Sequence, residues 1–127
     1  MYSPPRHGHC LLALLLQNRI EQHTGGLKFN SCLLNYYRDG NDSLSYHSDN
    51  EKEYGSEPSI ASVSLGIARE FVLRKNTDHS VKYSFALGPG DLLVMQGTVQ
   101  RDWMHAVPKR KGKEGGRINL TFRQVVM

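Results

Sequence analysis

"RINLTFR", residues 117–123, alternates polar and apolar side chains without a break. Successive side chains on a β-strand point to opposite faces. Arg117, Asn119, Thr121 and Arg123 therefore share one face, and Ile118, Leu120 and Phe122 share the other. The apolar face must pack on a core or under a covering helix. The polar face has two readings. It faces solvent, and nothing further is needed, or it faces the lumen of a jelly roll. In a lumen, two guanidinium groups are costly without anionic partners. A dicarboxylate would supply those partners, because arginine pairs with carboxylates in a bidentate fork.

The stretch "SCLLNYY", residues 31–37, repeats the pattern. Asn35 and Tyr37 share a face, and both can hydrogen-bond a carboxylate. Tyr37 reads as core on its own and as a pocket wall beside the arginines. Outward from these two stretches the chain is rich in short β-prone runs. Strands are predicted at 30–37, 44–48, 60–66, 70–74, 81–87, 91–95 and 117–126. Turn chemistry separates them, as in "RDGND" (38–42), "NTDHS" (76–80) and "GPGD" (88–91). Many short strands at fairly regular spacing predict a mainly β fold with a flanking helix, a double-stranded β-helix or jelly roll. The helix is predicted over 10–24, with Leu12, Leu15, Leu16 and Ile20 on one face and Gly25-Gly26 as its stop. The basic, Gly-rich segment "PKRKGKEGGR", 108–117, is predicted to be a mobile loop. Residues 1–9, "MYSPPRHGH", read as irregular.

The chain has 127 residues, which suggests one domain over 1–127. Its formal charge of +4 fits a polyanionic partner without demanding one. Cys10 and Cys32 are the only cysteines, too few for a disulfide framework, so free thiols and a reducing compartment are expected. The apolar run "CLLALLL", 10–16, is too short to span a bilayer, and no small-residue cleavage site follows it. No membrane association is expected.

A histidine and an aspartate stand one residue apart in "SLSYHSDNEKE", 43–53. On a strand, His47 and Asp49 would point the same way, which suits two ligands of one metal and equally two solvated side chains. His105, in "DWMHAVP", is the third candidate. Two histidines and one carboxylate with open positions is the arrangement of non-haem Fe(II) oxygenases. His7, His9, His23 and His79 lie in irregular, terminal or turn positions and read as surface residues.

The combination of His-x-Asp, a distal His and Arg-x5-Arg, in that order, resembles the AlkB family of Fe(II)- and 2-oxoglutarate-dependent dioxygenases. The likeness is greatest to the eukaryotic members that repair alkylated DNA and RNA bases. It runs from about residue 20 to 126, through "NRIEQHTGGLKFNSCLLNYYRDGNDSLSYHSDNE", "PSIASVSLGIAREFVLRK", "LGPGDLLVMQGTVQRDWMHAVPK" and "RINLTFRQVV". The resemblance implies that His47, Asp49 and His105 bind Fe(II). It implies that Arg117 pairs with the distal carboxylate of 2-oxoglutarate, assisted by Asn35, Tyr37 and Asn119, and that Arg123 holds the cosubstrate near its other end. Glu51 falls where the family places an acidic residue near the target base, and reads equally as surface. Arg69 is a further candidate for substrate contact.

The implied reaction consumes O2 and 2-oxoglutarate and yields succinate and CO2. It hydroxylates an N-methyl group of the 1-methyladenine or 3-methylcytosine type, and the product releases formaldehyde and the repaired base. The base must leave the stack, so single-stranded or flipped-base nucleic acid is the implied partner. Lys109, Arg110, Lys111 and Lys113 would neutralise phosphates or form a solvated loop. The implied protein is a monomer of the nucleus or cytoplasm. Family members carry more chain before the helix, including a lid that grips the nucleotide. Residues 1–9 would be its remnant, with Tyr2-Ser3 a trace of a lid element, and Asn50 replaces an acidic residue of close relatives. Two alternatives remain at this level: a 2-oxoglutarate-dependent hydroxylase of a protein or other substrate, and a truncated, non-catalytic jelly-roll interaction module.

Overall fold

The computed structural model describes residues 11–126. Helix α1 (Leu11–His23) is followed by β1 (Ser31–Tyr37), β2 (Leu44–His47), a short 3-10 turn (Lys52–Tyr54), β3 (Ile60–Gly66), β4 (Arg69–Lys75), β5 (Lys82–Leu87), β6 (Leu92–Met95), α2 (Val99–Asp102), β7 (Trp103–Val107) and β8 (Arg117–Arg123). Two antiparallel four-stranded sheets form, in the orders β1-β8-β3-β6 and β2-β7-β4-β5. Apart from the β4–β5 hairpin, consecutive strands pass from one sheet to the other, which is the jelly-roll arrangement expected.

Strand β8 sits inside the first sheet, with β1 and β3 as its neighbours. Its apolar face, with Leu120 and Phe122, joins Ile20, Phe29, Cys32, Ala61 and Val63 in a core beneath α1. Its polar face turns into the space between the sheets, where Tyr37, Ile60, Phe71, Leu87, Met95 and Val107 build a second core. Of the two readings of "RINLTFR", the lumen holds: Arg117, Asn119, Thr121 and Arg123 are all buried.

Helix α1 buries only part of the apolar face predicted for it. Ile20 is its buried residue, with Leu16 packed against the core. Leu12 and Leu15 are 63% and 54% exposed. The helix is moored at its second half, where Gln17 Nε2 donates to the Phe29 carbonyl at 2.7 Å and Glu21 Oε2 accepts from the Phe29 N–H at 2.8 Å. No helix of the described residues is long and apolar enough to cross a membrane. The expected irregular segment 1–9 lies outside the described residues.

The segment 108–117, predicted to be a mobile loop, is tied down by backbone hydrogen bonds, and Arg117 already belongs to β8. Arg110 N–H donates to the Gly40 carbonyl and Gly40 N–H to the Lys113 carbonyl, each at 2.8 Å. A Cβ at position 40 would collide with the Arg110 carbonyl, so only glycine permits this approach. The Arg110 guanidinium also forms an ion pair with Glu70.

Candidate metal and cosubstrate site

His47 ends β2 and is directly in register with His105 on β7. Paired residues share a face, so both imidazoles enter the lumen, with ring centroids 4.3 Å apart. Asp49 lies beyond the strand rather than on it. Its convergence with His47 is therefore due to the chain after β2 and not to strand alternation. Gln100 Oε1, from α2, accepts a hydrogen bond from the Asp49 N–H at 2.8 Å. One potential ligand atom from each of His47, Asp49 and His105 lies within 4.8 Å of the others.

The outer contacts leave the facing atoms open. His47 Nδ1 lies 2.9 Å from the Ser45 carbonyl, so as N–H donor it leaves Nε2 as a lone-pair nitrogen. Asp49 Oδ2 accepts from Arg123 Nη2 at 2.8 Å and Nε at 3.2 Å. The other oxygen, Oδ1, lies 4.0 Å from His47 Nε2. His105 stacks on Phe71, with centroids 5.3 Å apart, and its Nδ1 is buried without a hydrogen-bond partner. Burial first, then the nearby His47, lowers the His105 pKa to about 4. The imidazole is thus neutral near pH 7, the form that ligates a metal.

The second half of the site lies along β8. Arg117 is 2% exposed, and its Nη2 donates to Ser64 Oγ at 2.9 Å. Its Nε is buried without a partner, and no salt bridge to it exists among the described residues. The guanidinium carbon is 5.1 Å from the Tyr37 ring centroid. Burial pushes the Arg117 pKa down, and burial pushes the Tyr37 phenol up against the opposing pull of Arg117. Asn119 Nδ2 donates to Ser62 Oγ at 2.5 Å, and Thr121 Oγ1 donates to Asn119 Oδ1 at 2.7 Å. Asn35 is in register with Asn119, and Tyr37 with Arg117.

One pocket joins the two halves, lined by His47, Asp49 and His105 on one side and Asn35, Tyr37, Arg117, Asn119 and Arg123 on the other. The expected metal and cosubstrate residues are thus brought together. Glu51 is exposed at the N-terminal boundary of the 3-10 turn, two residues past Asp49.

Arg69 does something other than expected. It is 1% exposed. Its guanidinium donates to the carbonyls of Asp39, Asp42 and Pro108 at 2.9–3.0 Å. A buried fork engaged by three backbone oxygens is an internal staple, so Arg69 is withdrawn as a substrate contact. Three contributors were missed. Ser62 and Ser64 alternate with apolar residues in "IASVSLG" and carried a readable signal. Gln100 carried none, because its partner lies far away in sequence.

The donor set fits the group the sequence implied: two imidazoles and a carboxylate for iron, and an unpaired buried guanidinium for a carboxylate. Residues 2–123 match the 2OG-Fe(II) oxygenase superfamily. The chain belongs to that superfamily, in its AlkB branch. It is 45% identical over 123 residues to the DNA oxidative demethylase ALKBH2 of Arabidopsis thaliana, covering 80% of this chain and 39% of that protein. It is 44% identical over 131 residues to the alpha-ketoglutarate-dependent dioxygenase alkB homolog 3 of Homo sapiens, covering 97% of this chain and 45% of that protein. The solved structure of OsALKBH1 superposes with a TM-score of 0.64 at 26% identity, over 88% of this chain and 60% of that one. The chain therefore spans less than half the length of these two sequence relatives.

Proposed function

We propose that the protein is an Fe(II)/2-oxoglutarate dioxygenase domain, formed by residues 1–127, that oxidatively demethylates N-alkylated bases in DNA or RNA. The observation that carries the reading is Arg117, a buried cation without an acidic partner, in the cavity whose opposite wall bears His47, Asp49 and His105. A buried charge of this kind is destabilising unless a counter-charge arrives. A dicarboxylate long enough to reach from Arg117 to a metal at the triad answers both ends at once.

In this reading His47, Asp49 and His105 hold Fe(II), and Arg117 with Ser64 and Tyr37 grips the distal carboxylate of 2-oxoglutarate. Bound there, iron and cosubstrate supply activation of O2 for hydroxylation of the N-methyl carbon. The chain's own part is orientation. The Ser45 carbonyl sets the His47 tautomer. Arg123 turns Asp49 so that one oxygen remains free, and it also stands at the metal end of the cosubstrate. Leu44, Phe71 and Val107 exclude water from the lumen. Asn35 and Asn119 supply amides along the cavity wall. Glu51, exposed two residues past Asp49, contacts the target base in this reading. The relatives named as a DNA oxidative demethylase and as an alpha-ketoglutarate-dependent dioxygenase support the substrate class. An intracellular monomer of the nucleus or cytoplasm fits this role.

The test is formaldehyde release from oligonucleotides carrying 1-methyladenine or 3-methylcytosine. Release that depends on 2-oxoglutarate and disappears with His47→Ala is the expected result. Thermal stabilisation by Fe(II) plus 2-oxoglutarate, without formaldehyde from any methylated oligonucleotide, would redirect the site to another substrate.

A further inference from the structure

The inner face of the second sheet continues beyond the metal ligands. His47 is in register with His105, His105 with Leu73, and Leu73 with Tyr83. These four residues form one row on one face across β2, β7, β4 and β5. Trp103 lies two residues before His105 on the same face, at the start of β7. Strands are spaced about 4.8 Å apart, which puts Tyr83 about 10 Å from His105 along the sheet. That is about three steps of a stacked strand at 3.4 Å each.

Tyr83 and Trp103 stand with ring centroids 5.6 Å apart at 46°. Tyr83 is 56% exposed and its neighbour on the same face, Phe85, is 41% exposed. Lys75 is in register with Trp103 on this face, whereas Lys82, next to Tyr83 on β5, alternates to the opposite face. Lys75 is exposed and forms no salt bridge among the described residues. Of the acids nearby, Asp102 is paired with Arg101 and Glu70 with Arg110, while Asp78 accepts a hydrogen bond from Ser80 and keeps its charge. The surface therefore offers exposed aromatic rings, with a lysine not held in a salt bridge beside them, on the same sheet face as His105.

We propose that Tyr83 and Trp103 form a stacking platform for nucleotides flanking the target base, with Lys75 beside them attracting the phosphate backbone. The proposal rests on the nucleic-acid reading of the site. Aromatic faces interleaved with cations bind single strands irrespective of sequence, because every base has a π-face. A protein partner fits less well, since lysine is depleted from protein–protein interfaces.

Trp103 is the sole tryptophan, so its fluorescence reports the platform directly. An unmethylated single-stranded oligonucleotide should quench it. Tyr83→Ser should weaken oligonucleotide binding about tenfold, within the range of one lost stacking contact, and Tyr83→Phe should restore it. Formaldehyde release from a methylated trinucleotide should be unchanged in Tyr83→Ser, which also shows that the variant is folded. KM for a longer methylated strand should rise. Equal oligonucleotide affinity in the parent and Tyr83→Ser overturns the platform and leaves the demethylase reading standing. Oligonucleotide binding that depends on Tyr83 without formaldehyde from any methylated strand supports the platform and overturns that reading. A polyglutamate chain that binds as tightly and with the same dependence on Tyr83 also overturns the platform.

Discussion

The side-chain carbonyl of Gln100 accepts the backbone N–H of Asp49 at 2.8 Å, across 51 residues of sequence. Gln100 is buried, and its amide nitrogen contacts Met95 Sδ at 3.4 Å, so the side chain is fixed at both ends. The bond holds the stretch after β2 so that the Asp49 carboxylate meets the two imidazoles. Gln100→Ala should lower Fe(II) affinity about 10–100-fold, as removal of a group orienting a ligand does elsewhere. Anaerobic titration of the metal checks this. Loss of melting temperature with unchanged metal affinity would assign Gln100 to stability alone.

Arg117 should show opposite effects with and without cosubstrate. Its guanidinium is buried without an acid, so Arg117→Met should raise the stability of the ligand-free protein by about 1 kcal/mol or more. The same substitution should abolish the stabilisation produced by 2-oxoglutarate, about 2.7 kcal/mol at a hundredfold excess over Kd. Thermal melts of both proteins, each with and without 2-oxoglutarate, give the four values needed. A variant still stabilised by 2-oxoglutarate would place its carboxylate elsewhere.

Arg69 joins the turn after β1 to the segment after β7 through the carbonyls of Asp39, Asp42 and Pro108. Arg69→Met leaves three buried or half-buried acceptors without their donor. A loss of about 3 kcal/mol is expected in a urea melt, with Arg69→Lys recovering only part of it. Turnover per folded molecule should be unaffected, because the residue does not line the cavity.

Asp42 provides a pH-dependent contribution. Side-chain and backbone hydrogen bonds from Arg38 lower its pKa from 3.8 to about 2. A depressed carboxylate pKa means that the unfolded chain binds protons more readily. Its stabilisation is therefore present above about pH 4 and fades as pH falls through 2. The melting-temperature difference between the parent and Asp42→Asn should be constant above pH 4 and should narrow between pH 4 and 2. A gap that does not change with pH would show that the Arg38 contact does not contribute in solution.

Much of this was legible in the sequence because the lumen of a jelly roll is built by alternation. "RINLTFR" assigned both faces of β8, and "IASVSLG" gave the bounds of β3 that the structure shows. The strand carrying His105 was not legible. "WMHAV" is short, begins directly after α2, and presents a histidine where an inward apolar residue would be the usual signal. Asp49 meets the two imidazoles for a reason that strand alternation does not carry, since its orientation depends on Gln100 and Arg123, each far away in sequence. The role of Arg69 was hidden for the same cause. Carbonyl groups from two distant turns leave no mark on the local pattern. The leucines of α1 misled in the other direction, because helical spacing shows that a stripe exists and not how much of it is covered.

The position of β8 between β1 and β3 has a consequence for synthesis. A ribosome delivers seven strands before the one that must lie between two of them, so the nascent sheet has a gap with two open edges until residue 123 emerges. Such edges invite pairing with a wrong neighbour. Asp49 also waits for Arg123 through that interval. Assembly of the metal and cosubstrate residues and completion of the first sheet are then one late event, and a cell short of chaperones should accumulate this chain as an aggregate rather than as a folded protein.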